Sequence, residues 1–307
     1  MFYLEDNILR VATNDGINRI NFILKDELLK KLISKNFLVE SEITNQFDSI
    51  LDIKKESIII KHKKIPFISY PYEWSFEQLK DAAIHHLDLH LFLLDNNATL
   101  IDASAYNIQF NSTKPIFIDI LSIKEYVEGE FWLAHKQFCE NFLNPLILKS
   151  KKGINFNNWF KGNLEGIKTD ELYSILNFKD FFSYNIFTNV FLMNFFDKKI
   201  QNNDSNKNIK LEKKKLSKIA FISMLKQLKS FIKSLNYKKN KTTWDSYSQN
   251  NTYKKNEEDE KKKIVGNFVA KNNCDSIVDM GCNDGVYSEI SLKNGCKIVV
   301  GFDYDLN

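Results

Sequence analysis

The sequence predicts an α/β chain in two parts, a mixed α+β domain over residues 1–197 and a β-α-β unit over 264–307, joined by a lysine-rich linker at 198–263. Three observations carry that reading. Before residue 197, apolar runs of strand length alternate with longer runs of helical period. After it, two charged, apolar-poor stretches interrupt the chain. The chain then closes on an apolar strand, a glycine-containing turn, a helix and a second apolar strand.

In the first part, "SIIIKHK", "IPFISY" and "PIFIDIL" read as strands. "SFEQLKDAAIHHLDLHLFLL" reads as a long helix. Ser75 stands three residues before Gln78, the spacing of a capping box, and Leu79, Ala82, Ala83, Leu87, Leu91 and Leu94 keep roughly helical spacing. On "FWLAHKQFCENFL", Trp132, His135, Phe138 and Phe142 form a core face, and Cys139 has no evident activating partner. Residues 198–215, "KKIQNNDSNKNIKLEKKK", predict a loop or disordered tether. Leu216, Ile219, Ile222, Leu225, Leu228, Ile232 and Leu235 then make an apolar stripe with lysines between them. Such a helix most often packs on a neighbouring domain; its alternative is weak contact with an anionic membrane. The polar stretch that follows holds Trp244, Tyr247 and Tyr253, expected to pack on an adjacent fold or to cover a cofactor.

Composition narrows the function classes. The net charge is +4, but Arg10 and Arg19 are the only arginines, and the guanidinium fork supplies much of the reading of base edges and phosphates. A sequence-specific nucleic-acid binder is not expected. The four cysteines show no CxxC pair, and the N-terminus lacks a basic-then-apolar leader, so a reduced, cytoplasmic protein is expected. The greasiest stretch, 185–196, falls short of the ~20 residues needed to cross a bilayer.

The closing stretch "IVDMGCNDGVYSEISLKNGCKIVVGFDYDLN" carries the most chemistry. A short amphipathic helix at Ile264, Val265, Phe268 and Val269 leads to a buried strand at 276–280. "GCNDG" is the turn, and the second strand ends on Asp303. Glycine at Gly281 and Gly285 lets the backbone turn sharply towards a ligand, and Asp303 is placed to accept hydrogen bonds from ribose hydroxyls. "VDMGCNDGVYS" and "VVGFDYD" resemble the first motif and the second-strand acid of class I S-adenosylmethionine-dependent methyltransferases, with Asn283 where many members have a third glycine. The resemblance implies a Rossmann-like domain. It places Asp279, Gly281, Cys282, Asn283 and Gly285 along the methionine and ribose side of S-adenosyl-L-methionine, with Asp303 on the ribose and Asp305 near the adenosine. The methyl acceptor, small molecule or macromolecule, is unknown. Half of a dinucleotide-binding domain is the structural rival, and a tight turn without ligand is the plainest alternative. The stop after "DYDLN" is expected to leave a fragment with weak or no methyl transfer of its own.

A second constellation lies in "LLDNNATLIDASAYNIQFNSTKPIFIDILS". Asp102 and Asn107 stand five apart in a loop after the long helix, and Asp119 follows an apolar strand. This spacing resembles that of protein kinases and aminoglycoside-type phosphotransferases. It implies a kinase-like N-terminal domain in which Asp102 takes the hydroxyl proton, Asn107 and Asp119 hold Mg, and Mg-ATP is the alternative cofactor. "IPFISYPYEW" would be its strand and hinge. There are departures: Leu100 and Ile101 replace His-Arg, no glycine closely follows Asp119, and Gly16 is alone in the first sixty residues. Lys54, Lys61 and Lys63 are equally plain candidates for a strand lysine. A kinase-like shell that binds or presents something without catalysis is therefore a third reading. In the plainest one, Asp102 and Asn107 cap turns and Asp119 ends a strand.

His86 and His90 have the i, i+4 spacing of a zinc pair beside His85. No third ligand is evident, so packed structural histidines are expected. Longer blocks, "SYPYEWSFEQLKDAA", "DASAYNIQF", "PIFIDILSIKEYVEGEFWLAHKQFCENFLNPLIL" and "DMGCNDG", resemble a bacterial group of large methyltransferases that includes nodulation-type members. In that group a kinase-like region precedes a class I methyltransferase domain, and the resemblance runs from about residue 65 to the end.

Overall fold

The computed structural model describes residues 2–4, 7–45, 57–203, 215–238 and 254–305. It divides into two compact units, Met1–Tyr237 and Lys238–Asn307.

The first unit opens with an antiparallel sheet of β1 (Phe2–Leu4), β2 (Asn7–Ala12), β3 (Ser41–Thr44) and β4 (Ile58–His62), in the order β1-β2-β4-β3. Successive strand residues face opposite sides. Ile60 joins the main core under the helices Asp15–Leu24 and Leu28–Ser34, whereas Ile59 packs with Leu9 on the other face.

The expected long helix is Phe76–Asp95. Its start is fixed as its sequence implies: Ser75 Oγ accepts from the Gln78 N–H at 3.2 Å, and Gln78 Oε1 accepts from the Ser75 N–H at 2.9 Å. Two small antiparallel pairs follow, β5 (Ala98–Leu100) with β8 (Ile123–Glu125), and the hairpin β6 (Ile108–Asn111) with β7 (Lys114–Phe117). Backbone bonds between Phe117 and the 37–39 segment tie this hairpin to the end of the second helix. The remainder is helical: His135–Phe138, a wide π segment Cys139–Leu143, Asn144–Lys152, and further short helices to Met193–Asn203.

Several expectations need correction. "IPFISY" forms no strand; residues 65–70 run as an irregular connection into a turn at Pro71–Glu73. The predicted tether at 198–215 begins as helix, since Met193–Asn203 continues through its first residues, and 204–214 lie outside the described residues. The basic amphipathic helix, Lys218–Ser234, is part of the first unit's core. Phe221, Leu225, Leu228 and Ile232 are buried with the Phe76–Asp95 helix, Lys229 pairs with Asp88, and Lys80 Nζ donates to the Leu235 carbonyl at 2.8 Å. The predicted stripe is covered by protein at Leu225, Leu228, Ile232 and Leu235, whereas Ile219 is 80% exposed and Phe221, outside the predicted set, is buried in its stead. Trp244, Tyr247 and Tyr253 lie outside the described residues.

The second unit is a helix Lys255–Asn272, longer than its four apolar positions suggested, then β9 (Ser276–Met280), a helix Val286–Lys293 and β10 (Ile298–Phe302). β9 and β10 pair in parallel from Ile298↔Ser276 to Phe302↔Met280, which is the expected β-α-β unit, but β9 is not the buried strand expected: Val278 is 57% and Met280 77% exposed, because two strands leave the sheet face uncovered among the described residues. No helix among the described residues is long and apolar enough to cross a membrane.

Candidate functional site

The turn after β9 is built from three left-handed residues, Gly281 (φ 76°), Asn283 (φ 46°) and Gly285 (φ 79°). Asparagine is among the few side chains that tolerate this region, which explains how it stands where glycine is common. The turn is anchored to the neighbouring strand: the N–H groups of Gly281 and Cys282 donate to the Phe302 carbonyl at 2.7 and 3.0 Å. Asp303 accepts from the Asn283 N–H at 2.7 Å through one carboxylate oxygen and from the Asp305 N–H at 2.8 Å through the other. Asp279 accepts from Ser288 Oγ at 2.6 Å. The structure therefore brings all six predicted residues to the ends of the two parallel strands.

A groove of about 460 Å³ runs along this turn, lined by Asp279, Gly281, Cys282 and Asn283 and walled by Phe268 and Tyr287 from the flanking helices. Asp303 meets the turn at Asn283, and neither it nor Gly285 is part of the lining. Cys282 lies under β10, where a side chain on Gly301 would come within 2.9 Å of its Sγ, and burial followed by the charges of Asp279 and Asp303 raises its thiol. Packing is the role its position gives it.

In the first unit, backbone pairing gathers the second constellation. Ile101 N–H donates to the Ser122 carbonyl at 3.0 Å and Ile118 N–H to the Asn107 carbonyl at 2.9 Å, so the segments carrying Asp102, Asn107 and Asp119 run side by side. Their side chains have separate employments. Asp102 caps its own turn by accepting from the Ser104 N–H at 2.7 Å. Asn107 Nδ2 is buried with no partner among the described residues. Asp119 is paired with Arg10 from β2 and accepts from Ser122 Oγ. The second arginine, Arg19, donates to the Leu121 carbonyl at 2.9 Å. Both arginines of the chain thus close on one four-residue segment.

Sequence reasoning missed what holds the Asp102 loop in place. Gln137 Oε1 accepts from the Ala103 N–H at 2.8 Å and Asn141 Oδ1 from the Ala105 N–H at 3.0 Å. The signal was two amide side chains four apart, the spacing that sets them on one face of a helical run. His86 sits among Phe117, Trp132, Phe138 and Phe142, and His90 Nε2 lies 2.8 Å from Thr99 Oγ1. His135 contacts Asn189 Oδ1 at 3.0 Å, and burial pushes the Cys139 thiol up. Among the described residues no three His, Cys, Asp or Glu gather as a metal ligand set.

With this geometry in view, comparison with known proteins adds a relative. The chain is similar to the nodulation protein NoeA of Rhizobium meliloti (strain 1021). The two are 38% identical over 312 residues, covering 99% of this chain and 64% of that protein, so the chain spans a little under two thirds of its curated relative. The likeness to NoeA runs through both units. No protein-family model matches the chain. Among solved structures, vaccinia related kinase 3 aligns over 76% of this chain and 75% of its own, with a TM-score of 0.32 and 14% identity, a likeness too low to carry an argument.

Proposed function

We propose that residues 264–307 form the cofactor-binding start of a Rossmann-like, class I S-adenosylmethionine-dependent methyltransferase domain, acting on an acceptor these residues do not specify. The observation that carries this is the turn of Gly281, Asn283 and Gly285, tied to Asp303 across two parallel strands. Strand ends of this kind are where α/β sheets bind their ligands. Two features fit the cofactor. Among the described residues nothing lies within 4 Å of the space a side chain would take on Gly281 or Gly285, so the backbone is open to close approach. The groove of about 460 Å³ falls in the range of small-molecule sites. When bound, S-adenosylmethionine supplies a methyl group activated on a sulfonium. The chain's part is to bind and orient: Asp303 has lone pairs left for ribose hydroxyls, and Asp279, held by Ser288, sets negative charge beside the turn.

Titrating S-adenosylmethionine into the 307-residue chain should shift the amide resonances of Gly281, Asn283 and Gly285 first. Asp303→Ala should weaken binding about tenfold or more. Shifts confined to other residues, or an Asp303→Ala variant that binds equally well, would overturn the assignment.

For Met1–Tyr237 we infer a non-catalytic binding role in preference to phosphotransfer. The observation behind it is Arg10 on Asp119. A magnesium ion takes its ligands from carboxylate oxygens, and here a guanidinium already neutralises the carboxylate and would repel a second cation beside it, so the residues present do not fit Mg-ATP chemistry.

A further inference from the structure

In the first unit, a pocket of about 250 Å³ opens where the antiparallel sheet meets the connection after β4 and the β6–β7 hairpin. Ile8, Val39, Ile65 and Ile118 give it aliphatic walls, and His62 and Tyr106 are among its polar members. An apolar cavity of roughly 150 Å³ accommodates a benzene ring, so this volume suits a fused pair of rings.

His62 gives the pocket a chemical direction. Its Nδ1 lies 2.8 Å from Ser41 Oγ, and the single hydroxyl proton of Ser41 points to the Val39 carbonyl at 2.7 Å. The serine oxygen must then accept from the ring, which assigns the proton to Nδ1 from the hydrogen-bond network. Burial first, and the charge of Arg10 second, push His62 down to about 4, so the ring is neutral at neutral pH. Nε2 is accordingly a bare acceptor, buried and without a partner among the described residues. The Tyr106 hydroxyl is also buried and without a partner among the described residues, and burial foremost pushes it up to about 12, so it keeps its proton. An unmet polar atom of this kind costs stability that a complementary ligand restores, at the expense of some side-chain movement to reach it.

Charge is already balanced around the pocket. Lys63, which lines it, pairs with Glu40 at 2.8 Å, and Asp119, next to Ile118 in the wall, is held by Arg10. We infer that this pocket binds a neutral, flat, bicyclic aromatic ligand carrying one N–H or O–H donor aimed at His62 Nε2, without a metal ion. The inference rests on the non-catalytic reading of this unit.

Indole and 1-methylindole make the test, since they share ring and shape and differ in the donor. Titrated into the 307-residue chain with the histidine ring nitrogens followed by NMR, indole should bind saturably and move the His62 Nε2 resonance. 1-Methylindole should bind about tenfold more weakly and leave that resonance in place. His62→Phe should make the two probes equal, and Ile118→Trp should exclude both. Because His62→Phe can fail to fold, the wild-type resonance shift is decisive by itself. Equal affinity of the two probes for the wild-type chain, an unmoved Nε2 resonance at saturation, or no saturable binding would overturn the proposal. A Mg-ATP arm separates the two failures: magnesium-dependent ATP binding with Arg10 in place would sink the non-catalytic reading, while the indole comparison judges the pocket itself.

Discussion

At the scale of single residues, Arg10 is the side chain whose role is most specific. It is drawn out of water against Asp119, and burial lowers its affinity for a proton. Removing one member of such a pair leaves the other charged and poorly solvated, a cost of about 3–5 kcal/mol when fully buried and less here, where both side chains keep some exposure. Arg10→Gln is therefore expected to lower stability by about 2 kcal/mol in urea unfolding. It should also give Asp119 a magnesium affinity, measurable by calorimetry, that the wild type lacks. Asp119 stands out in sequence as a candidate metal ligand and Arg10 as one of two arginines, but nothing in the sequence pairs them. What couples them is tertiary packing, which brings β2 of the four-stranded sheet against the segment that follows β7 of a separate hairpin.

At the scale of elements, the π segment Cys139–Leu143 decides the geometry around the Asp102 loop. Its wider turn carries Asn141 to the Ala105 N–H and leaves the Glu140 carbonyl accepting from the Ile167 N–H at 2.9 Å. Gly166 makes that approach feasible. Its φ is +88°, and a side chain there would come within 2.3 Å of the Glu140 carbonyl oxygen. Gly166→Ala should therefore destabilise the first unit by about 2–4 kcal/mol, read as a lower urea midpoint at unchanged slope. Neither the π segment nor this close approach was legible in the sequence. A helical period fixes which face is apolar and does not record where one extra residue is let into a turn. The capping box at Ser75, by contrast, was readable because all of its chemistry lies within four consecutive residues.

At the scale of the whole molecule, the five histidines act together. His62, His85, His86, His90 and His135 are all depressed below the ordinary value, burial being the first cause in each, with His62 at about 4 and His86 at about 3. In the unfolded chain they take up protons near pH 6.5; in the folded chain they do so only further down. Their contribution is thus fully present above about pH 6.5 and is lost as pH falls through the window from there to about 4 for His62 and about 3 for His86. Urea midpoints should fall steadily from pH 7 to pH 4.5. His86→Leu should flatten that decline, since both nitrogens of His86 are buried without partners among the described residues and its surroundings are aromatic. A variant with the wild-type slope would show that His86 takes up its proton in the folded protein as readily as in the unfolded chain.

The sequence by itself determined what is local: the capped helix Phe76–Asp95, the amphipathic stripe of Lys218–Ser234, and the β9-turn-β10 unit with its left-handed Gly281, Asn283 and Gly285 and its closing Asp303. Each is set by neighbours along the chain, where period, turn chemistry and capping speak directly. Only the tertiary structure decided that Phe221, Leu225, Leu228 and Ile232 pack with the helix Phe76–Asp95, tied through pairs such as Lys229 with Asp88, 141 positions away. It likewise decided that two arginines close on the segment after β7, Arg19 from 102 positions away. Contacts at that separation depend on how elements pack, and packing answers to the shape and burial of the whole core, which no single stretch of sequence encodes.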